Sequence, residues 1–247
     1  MKVKACIFDL DGTVLYTLES IALAGNRMLE SMGYAGRPVE EYRYYCGDGS
    51  DNLVKRVLGV SEGLIPVSVL EDESADWTRI TEALPYSRER IEAGSALNRR
   101  FLAEQPLYRV HPYEGMPEAL SALKEMGLRL AVFSNKPDAS AKAAIKGAYG
   151  GLFDHVQGQT EGIPIKPDPA GALLTAEALR ADPSECVYFG DTWTDMRTGK
   201  SAGMYTAGVL WGYRPAAELS ANGADALVRS PDEIPDLIRR LSRVRTG

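Results

Sequence analysis

Residues 3–8 form a short apolar run whose aliphatic and aromatic content predicts a buried strand. Three more such runs follow at 128–133, 186–189 and 205–210, and residues 226–228 read as a fifth. Between them, apolar positions recur at helical spacing over 116–126, 139–148, 169–179, 195–202 and 231–241. Gly127 and Gly203 stand where helix C-termini are expected, since glycine takes the left-handed turn that ends a helix. Strands alternating with amphipathic helices predict an α/β fold, a doubly wound, Rossmann-like parallel sheet with helices on both faces.

Residues 15–107 break this alternation. They carry almost no strand pattern, and their apolar positions (Ile21, Leu29 and Met32; Leu53, Val57 and Leu58) repeat at helical spacing. The expected organisation is therefore an α/β core built from 1–14 and 108–247, with a helical domain inserted at 15–107. Within that domain, residues 61–87 are acidic and weakly periodic, and no element is assigned there.

Composition narrows the classes of function. The 247 residues are 45% hydrophobic and 25% charged, enough apolar material for a sizeable core. The net charge of −6 and the absence of a basic stripe argue against a nucleic-acid partner. No apolar run approaches the ~20 residues that span a membrane, and the N-terminal run is too short for a signal peptide, so a cytoplasmic protein with no membrane partner is expected. Cys6, Cys46 and Cys186 show no paired spacing, and with His111 and His155 as the only histidines a three-histidine metal site is excluded. An acidic protein acting on an anionic substrate needs local cations.

The candidate chemistry sits at the ends of the predicted strands, where open parallel sheets bind ligands. The first strand runs into Asp9-Leu10-Asp11-Gly12-Thr13. Residues two apart on an extended segment point the same way, so Asp9 and Asp11 can share one crevice, and a hard divalent cation would relieve their repulsion. The second strand leads to Ser134-Asn135-Lys136-Pro137, whose hydroxyl and backbone N–H groups at a helix start suit a phosphate oxygen. Lys166 is flanked by a backbone that Pro167 and Pro169 fix. The strand at 186–189 runs into Gly190-Asp191, with Asp195 one helical turn on. Each segment alone also reads as a solvated turn, a helix cap or a surface lysine. Two acidic strand ends in one parallel sheet are harder to read that way.

In order and spacing, these four segments resemble the haloacid dehalogenase-like superfamily. The resemblance implies that Asp9 is the nucleophile and that Mg2+ is held by Asp9, the backbone carbonyl of Asp11, and Asp191, with Asp195 behind them. It implies Asp11 as general acid and base, Lys166 as the charge-neutralising cation, and Thr13, Ser134 and the backbone of Asn135 as holders of the phosphoryl group. An acid at position 11 favours phosphoryl transfer over the metal-free dehalogenation known in the superfamily. The helical insertion looks like the superfamily's cap. Gly47-Asp48-Gly49-Ser50, Pro112-Tyr113-Glu114-Gly115-Met116 and Gly212-Tyr213 resemble segments of phosphoglycolate phosphatases. A small anionic substrate would call for a cation in the cap, and Lys55 and Arg56 lie nearest the first of these loops.

The expected function is thus a Mg2+-dependent phosphatase acting on a small phosphorylated metabolite, phosphoglycolate first among the candidates. A sugar-phosphate mutase or a pyrophosphatase would use the same core residues. A regulatory binding module on a phosphatase scaffold is the non-enzymatic alternative.

Overall fold

The computed structural model describes residues 1–72 and 75–243. The chain divides into two compact units, one made of residues 1–16 and the chain from 111 onward, the other of residues 17–110.

Eight strands lie in the first unit: β1 (Ala5–Phe8), β2 (Leu15–Tyr16), β3 (His111–Pro112), β4 (Arg129–Pro137), β5 (His155–Gln159), β6 (Cys186–Gly190), β7 (Tyr205–Val209) and β8 (Ala226–Val228). Six of them form one sheet in the order β5-β4-β1-β6-β7-β8, with every pairing parallel. The short antiparallel pair β2–β3 joins Leu15–Tyr16 to His111–Pro112. That pairing ties residues 15 and 16 to the first unit, so the helical unit spans 17–110, starting two residues later and ending three residues later than the 15–107 expected from the pattern.

The second unit is helical: α1 (Leu18–Ser31), α2 (Tyr42–Tyr45), α3 (Ser50–Ser61), α4 (Trp77–Glu82) and α5 (Arg88–Glu104). In the weakly periodic stretch 61–87, a 3-10 turn (Val67–Glu71) and α4 are found, while residues 73 and 74 lie outside the described residues. The first unit adds α6 (Met116–Glu125), α7 (Asp138–Tyr149), α8 (Ala170–Ala178), α9 (Trp193–Ser201), α10 (Ala216–Ala221) and α11 (Glu233–Arg243).

The sheet is apolar on both faces because alternate residues of its central strands are all buried. Ala5, Ile7, Ala131, Phe133, Cys186 and Tyr188 pack on one face with Ala172 and Ala176 of α8. On the other, Phe8 stacks on Phe189 at 4.8 Å and meets Phe153 edge-on at 6.2 Å. The register sets Phe8 level with Val132 and with Phe189. Asp9 and Asp191, just past β1 and β6, and Ser134 on β4 therefore stand at nearly the same height, which is how segments distant in sequence come to share one site.

Two departures from the sequence pattern bear on that site. β4 continues to Pro137 instead of ending at 133, with its register against β5 shifting between Phe133 and Pro137. Ser134, Asn135 and Lys136 thus sit on the irregular end of a strand, and α7 begins only at Asp138. The edge strand β5 was not expected at all.

Candidate active site

Asp9 follows β1 directly, its N–H donating to the Phe189 carbonyl at 2.8 Å. Asp9, Asp191 and Asp195 are all buried and can bring one carboxylate oxygen each to within 4.8 Å of the others. Lys166, only 1% exposed, donates from Nζ to Asp9 Oδ1 and to Asp195 Oδ1, each at 2.7 Å. The Asp9 carboxyl is pushed up to about 7, first by burial and then by Asp195 and Asp11, against the pull of Lys166. Asp191 is driven well above the usual carboxylate range by burial, with Asp195 and Asp9 adding to it. Burial works against the Lys166 ammonium, but Asp195 and Asp9 outweigh it and hold it firmly charged.

Three carboxylates facing one ammonium leave a formal excess of two negative charges in a water-poor site. A hard divalent cation with oxygen ligands matches both the charge and the donor type, so these residues fit Mg2+. The two acids from the fourth segment divide the work. Asp195 has its oxygens engaged, Oδ1 by Lys166 and Oδ2 by the N–H and hydroxyl of Thr192, which also caps α9. Asp191 is gripped by its surroundings: Thr13 Oγ1–H donates to Oδ1 at 2.9 Å and the Tyr213 N–H to Oδ2 at 2.8 Å.

Glycines make that grip possible. A Cβ on Gly12 would lie 2.3 Å from Asp191 Oδ2, and Gly12 also has φ +84°, a conformation costly for other residues. A Cβ on Gly212 would lie 2.2 Å from the Asp191 Cβ. Two loops thus close on the carboxylate from opposite directions in sequence, which gives the Gly212-Tyr213 pair a physical role.

Several of the expected residues also make contacts within the protein. The Thr13 hydroxyl, expected on the phosphoryl group, is given to Asp191. Its carbonyl accepts the Trp211 Nε1–H at 2.9 Å. Asn135 clamps Lys166 from both sides: its Oδ1 accepts the Lys166 N–H at 2.8 Å and its Nδ2–H donates to the Lys166 carbonyl at 3.3 Å. Ser134 Oγ accepts the Lys136 N–H at 3.3 Å. The Asp11 carboxylate lies apart from the three-acid group and pairs with Lys136, Nζ to Oδ1 at 2.9 Å. Lys136 had no role assigned from sequence. The alternation that aligns Asp9 with Asp11 also aligns Ser134 with Lys136, and was the signal that could have found it.

The expectation for Arg56 is corrected. Its guanidinium forms a bidentate pair with Asp48, donates from Nε to Thr81 Oγ1 at 2.7 Å, and is 1% exposed. It braces the Gly47–Ser50 loop from inside the helical unit and offers no charge to a ligand.

A sheet of this order with acids from β1 and β6 and a lysine between them defines a class. The haloacid dehalogenase-like hydrolase family model matches residues 3–203. The chain belongs to that family, as the motif resemblance implied. Over 245 residues it is 30% identical to the phosphoglycolate phosphatase of Nitrosospira multiformis, covering 98% of both chains. It is also 30% identical over 250 residues to the N-acetylmuramic acid 6-phosphate phosphatase of Pseudomonas aeruginosa, covering 97% of this chain and 96% of that one. Among solved structures, a candidate phosphoglycolate phosphatase from Lactobacillus delbrueckii subsp. bulgaricus superposes with a TM-score of 0.86 at 28% identity, covering 96% and 99%. Among the described residues, no helix is long and apolar enough to cross a membrane.

Proposed function

We propose that the protein is a Mg2+-dependent phosphatase of small phosphate monoesters, with phosphoglycolate the leading substrate, working through a phospho-aspartyl intermediate on Asp9. The observation that carries the reading is the buried group of Asp9, Asp191, Asp195 and Lys166, three carboxylates and one ammonium at adjoining strand ends.

Lys166 pulls Asp9 toward its ionised form against the burial that favours the protonated one, and it is the ionised carboxylate that attacks phosphorus. As the ester P–O bond breaks, Asp11 gives its proton to the leaving oxygen. In the second half it takes a proton from the water that opens the acyl phosphate, returning free Asp9 and inorganic phosphate. Ser134 and the Asn135 backbone are the donors for the phosphoryl oxygens, and Asn135 also fixes the lysine. Mg2+, held by Asp9, Asp191 and the Asp11 carbonyl, would neutralise the phosphoryl charge. The inserted helical unit is proposed as the cap. A cytoplasmic setting fits the three buried free thiols.

The test is phosphate release from a panel of monoesters, phosphoglycolate included, with Mg2+, with excess chelator, and with Asp9→Asn. The wild type should release phosphate only with the metal, and the variant should lose at least about 10³-fold in kcat while keeping its circular dichroism spectrum. Turnover by the variant near the wild-type rate would remove Asp9 as nucleophile. Activity that persists in chelator would remove the metal.

A further inference from the structure

The site contains a second buried cation that the chemistry above does not use. Lys136 has a side chain 2% exposed, at the irregular end of β4, with its ammonium 2.9 Å from Asp11 Oδ1. The two lysines divide the site. Lys166 bridges Asp9 and Asp195 on the side of the nucleophile, whereas Lys136 stands beside the acid that faces the leaving group. Removing an ammonium from water is costly unless a partner compensates it, and one carboxylate oxygen is its partner here.

We propose that Lys136 is the specificity-determining cation for the leaving group, binding a carboxylate carried next to the ester carbon. The proposal rests on the phosphatase reading of this site. When Asp11 turns to the leaving oxygen, Lys136 exchanges that carboxylate for the substrate's. In an ester of a 2-hydroxy acid, a carboxylate oxygen lies three bonds from the ester oxygen, a span comparable to one hydrogen bond. Such a substrate can therefore engage Asp11 and Lys136 together. An alcohol without the carboxylate leaves Lys136 with no new partner on losing Asp11, and a site built around a buried charge rejects a ligand that cannot pair it. The arginine nearest the Gly47–Ser50 loop cannot serve instead, because Arg56 is spent on Asp48 and Thr81.

The experiment compares kcat/KM for phosphoglycolate and ethyl phosphate, which differ in that carboxylate, in the wild type, Lys136→Met and Lys136→Arg. The wild type should prefer phosphoglycolate by at least about 100-fold, and Lys136→Met should erase most of that preference, mainly through KM. Lys136→Arg should retain part of it. Equal losses on both esters would reduce Lys136 to a positioning residue for Asp11 and overturn the assignment. So would a wild type that shows no preference, a result that does not depend on any variant folding. If the wild type hydrolyses ethyl phosphate and p-nitrophenyl phosphate but not phosphoglycolate, the phosphatase reading survives and this assignment fails. If it releases phosphate from no ester at all, both fail.

Discussion

At the scale of single residues, the site is held by close backbone approach as much as by its charged groups. Asp191 receives donors from Thr13 and Tyr213, and the segments carrying them come so near that neither Gly12 nor Gly212 has room for a methyl group. Gly212→Ala should therefore push Tyr213 or Asp191 out of line without touching a charged group. The expected outcome is a rise of about tenfold or more in the Mg2+ concentration for half-maximal activity, in the range found when groups that orient a metal ligand are lost. An unchanged metal requirement, measured by titrating Mg2+ at saturating substrate, would show that the loop tolerates the methyl group. The acids and Lys166 were legible in the sequence because their residue types and strand-end positions point to one chemistry. Their partners were not. Asn135 clamps a lysine 31 positions away, and only the folded chain brings the two together.

At the scale of elements, the strands with continuous apolar runs were legible because a strand buried on both faces has no polar alternative. β5 escaped because it is an edge strand, paired only with β4, and its sequence His-Val-Gln-Gly-Gln is half-exposed. α10 is six residues of mixed character, too short to display a period. Arg56 shows how a pattern misleads. It lies between Lys55 and Val57 on α3 and reads as a surface cation, but it points inward to Asp48, which turns back from the loop that precedes the helix. Removing one member of a buried pair strands the other. Arg56→Met should thus lower stability by roughly 3–5 kcal/mol, whereas Arg56→Met with Asp48→Leu should recover much of the loss. Urea denaturation of the full chain gives the comparison, and a double variant no better than the single one would mean that the pair does more than satisfy itself.

At the scale of the whole molecule, the site is an electrostatic burden until it is filled. Asp9 has an ordinary carboxyl value of 3.8 and is raised to about 7 in the fold. Below about pH 4 it is protonated both folded and unfolded, and no penalty arises. As pH rises toward 7 the unfolded chain ionises first, the folded chain holds the extra proton, and folding loses stability of the order of a few kcal/mol. Metal-free wild type should therefore melt below metal-free Asp9→Asn at pH 7.5, with the two converging near pH 4. Saturating Mg2+ should raise the wild type far more than the variant, since a ligand bound only by the folded state stabilises it. Melting curves for both proteins across that range, with chelator and with Mg2+, decide the matter; a metal-free wild type as stable as the variant at pH 7.5 would mean that the buried acids carry no such load.

The indole of Trp211 has a further use. Its N–H is bonded to the carbonyl of Thr13, the residue whose hydroxyl holds Asp191. The chain has three tryptophans, and with Trp77 and Trp193 changed to phenylalanine the remaining emission would come from an indole two hydrogen bonds away from that carboxylate. The enzyme thus carries its own optical gauge, through which the arrival of a metal ion or phosphate could be timed by stopped-flow fluorescence without attaching a dye.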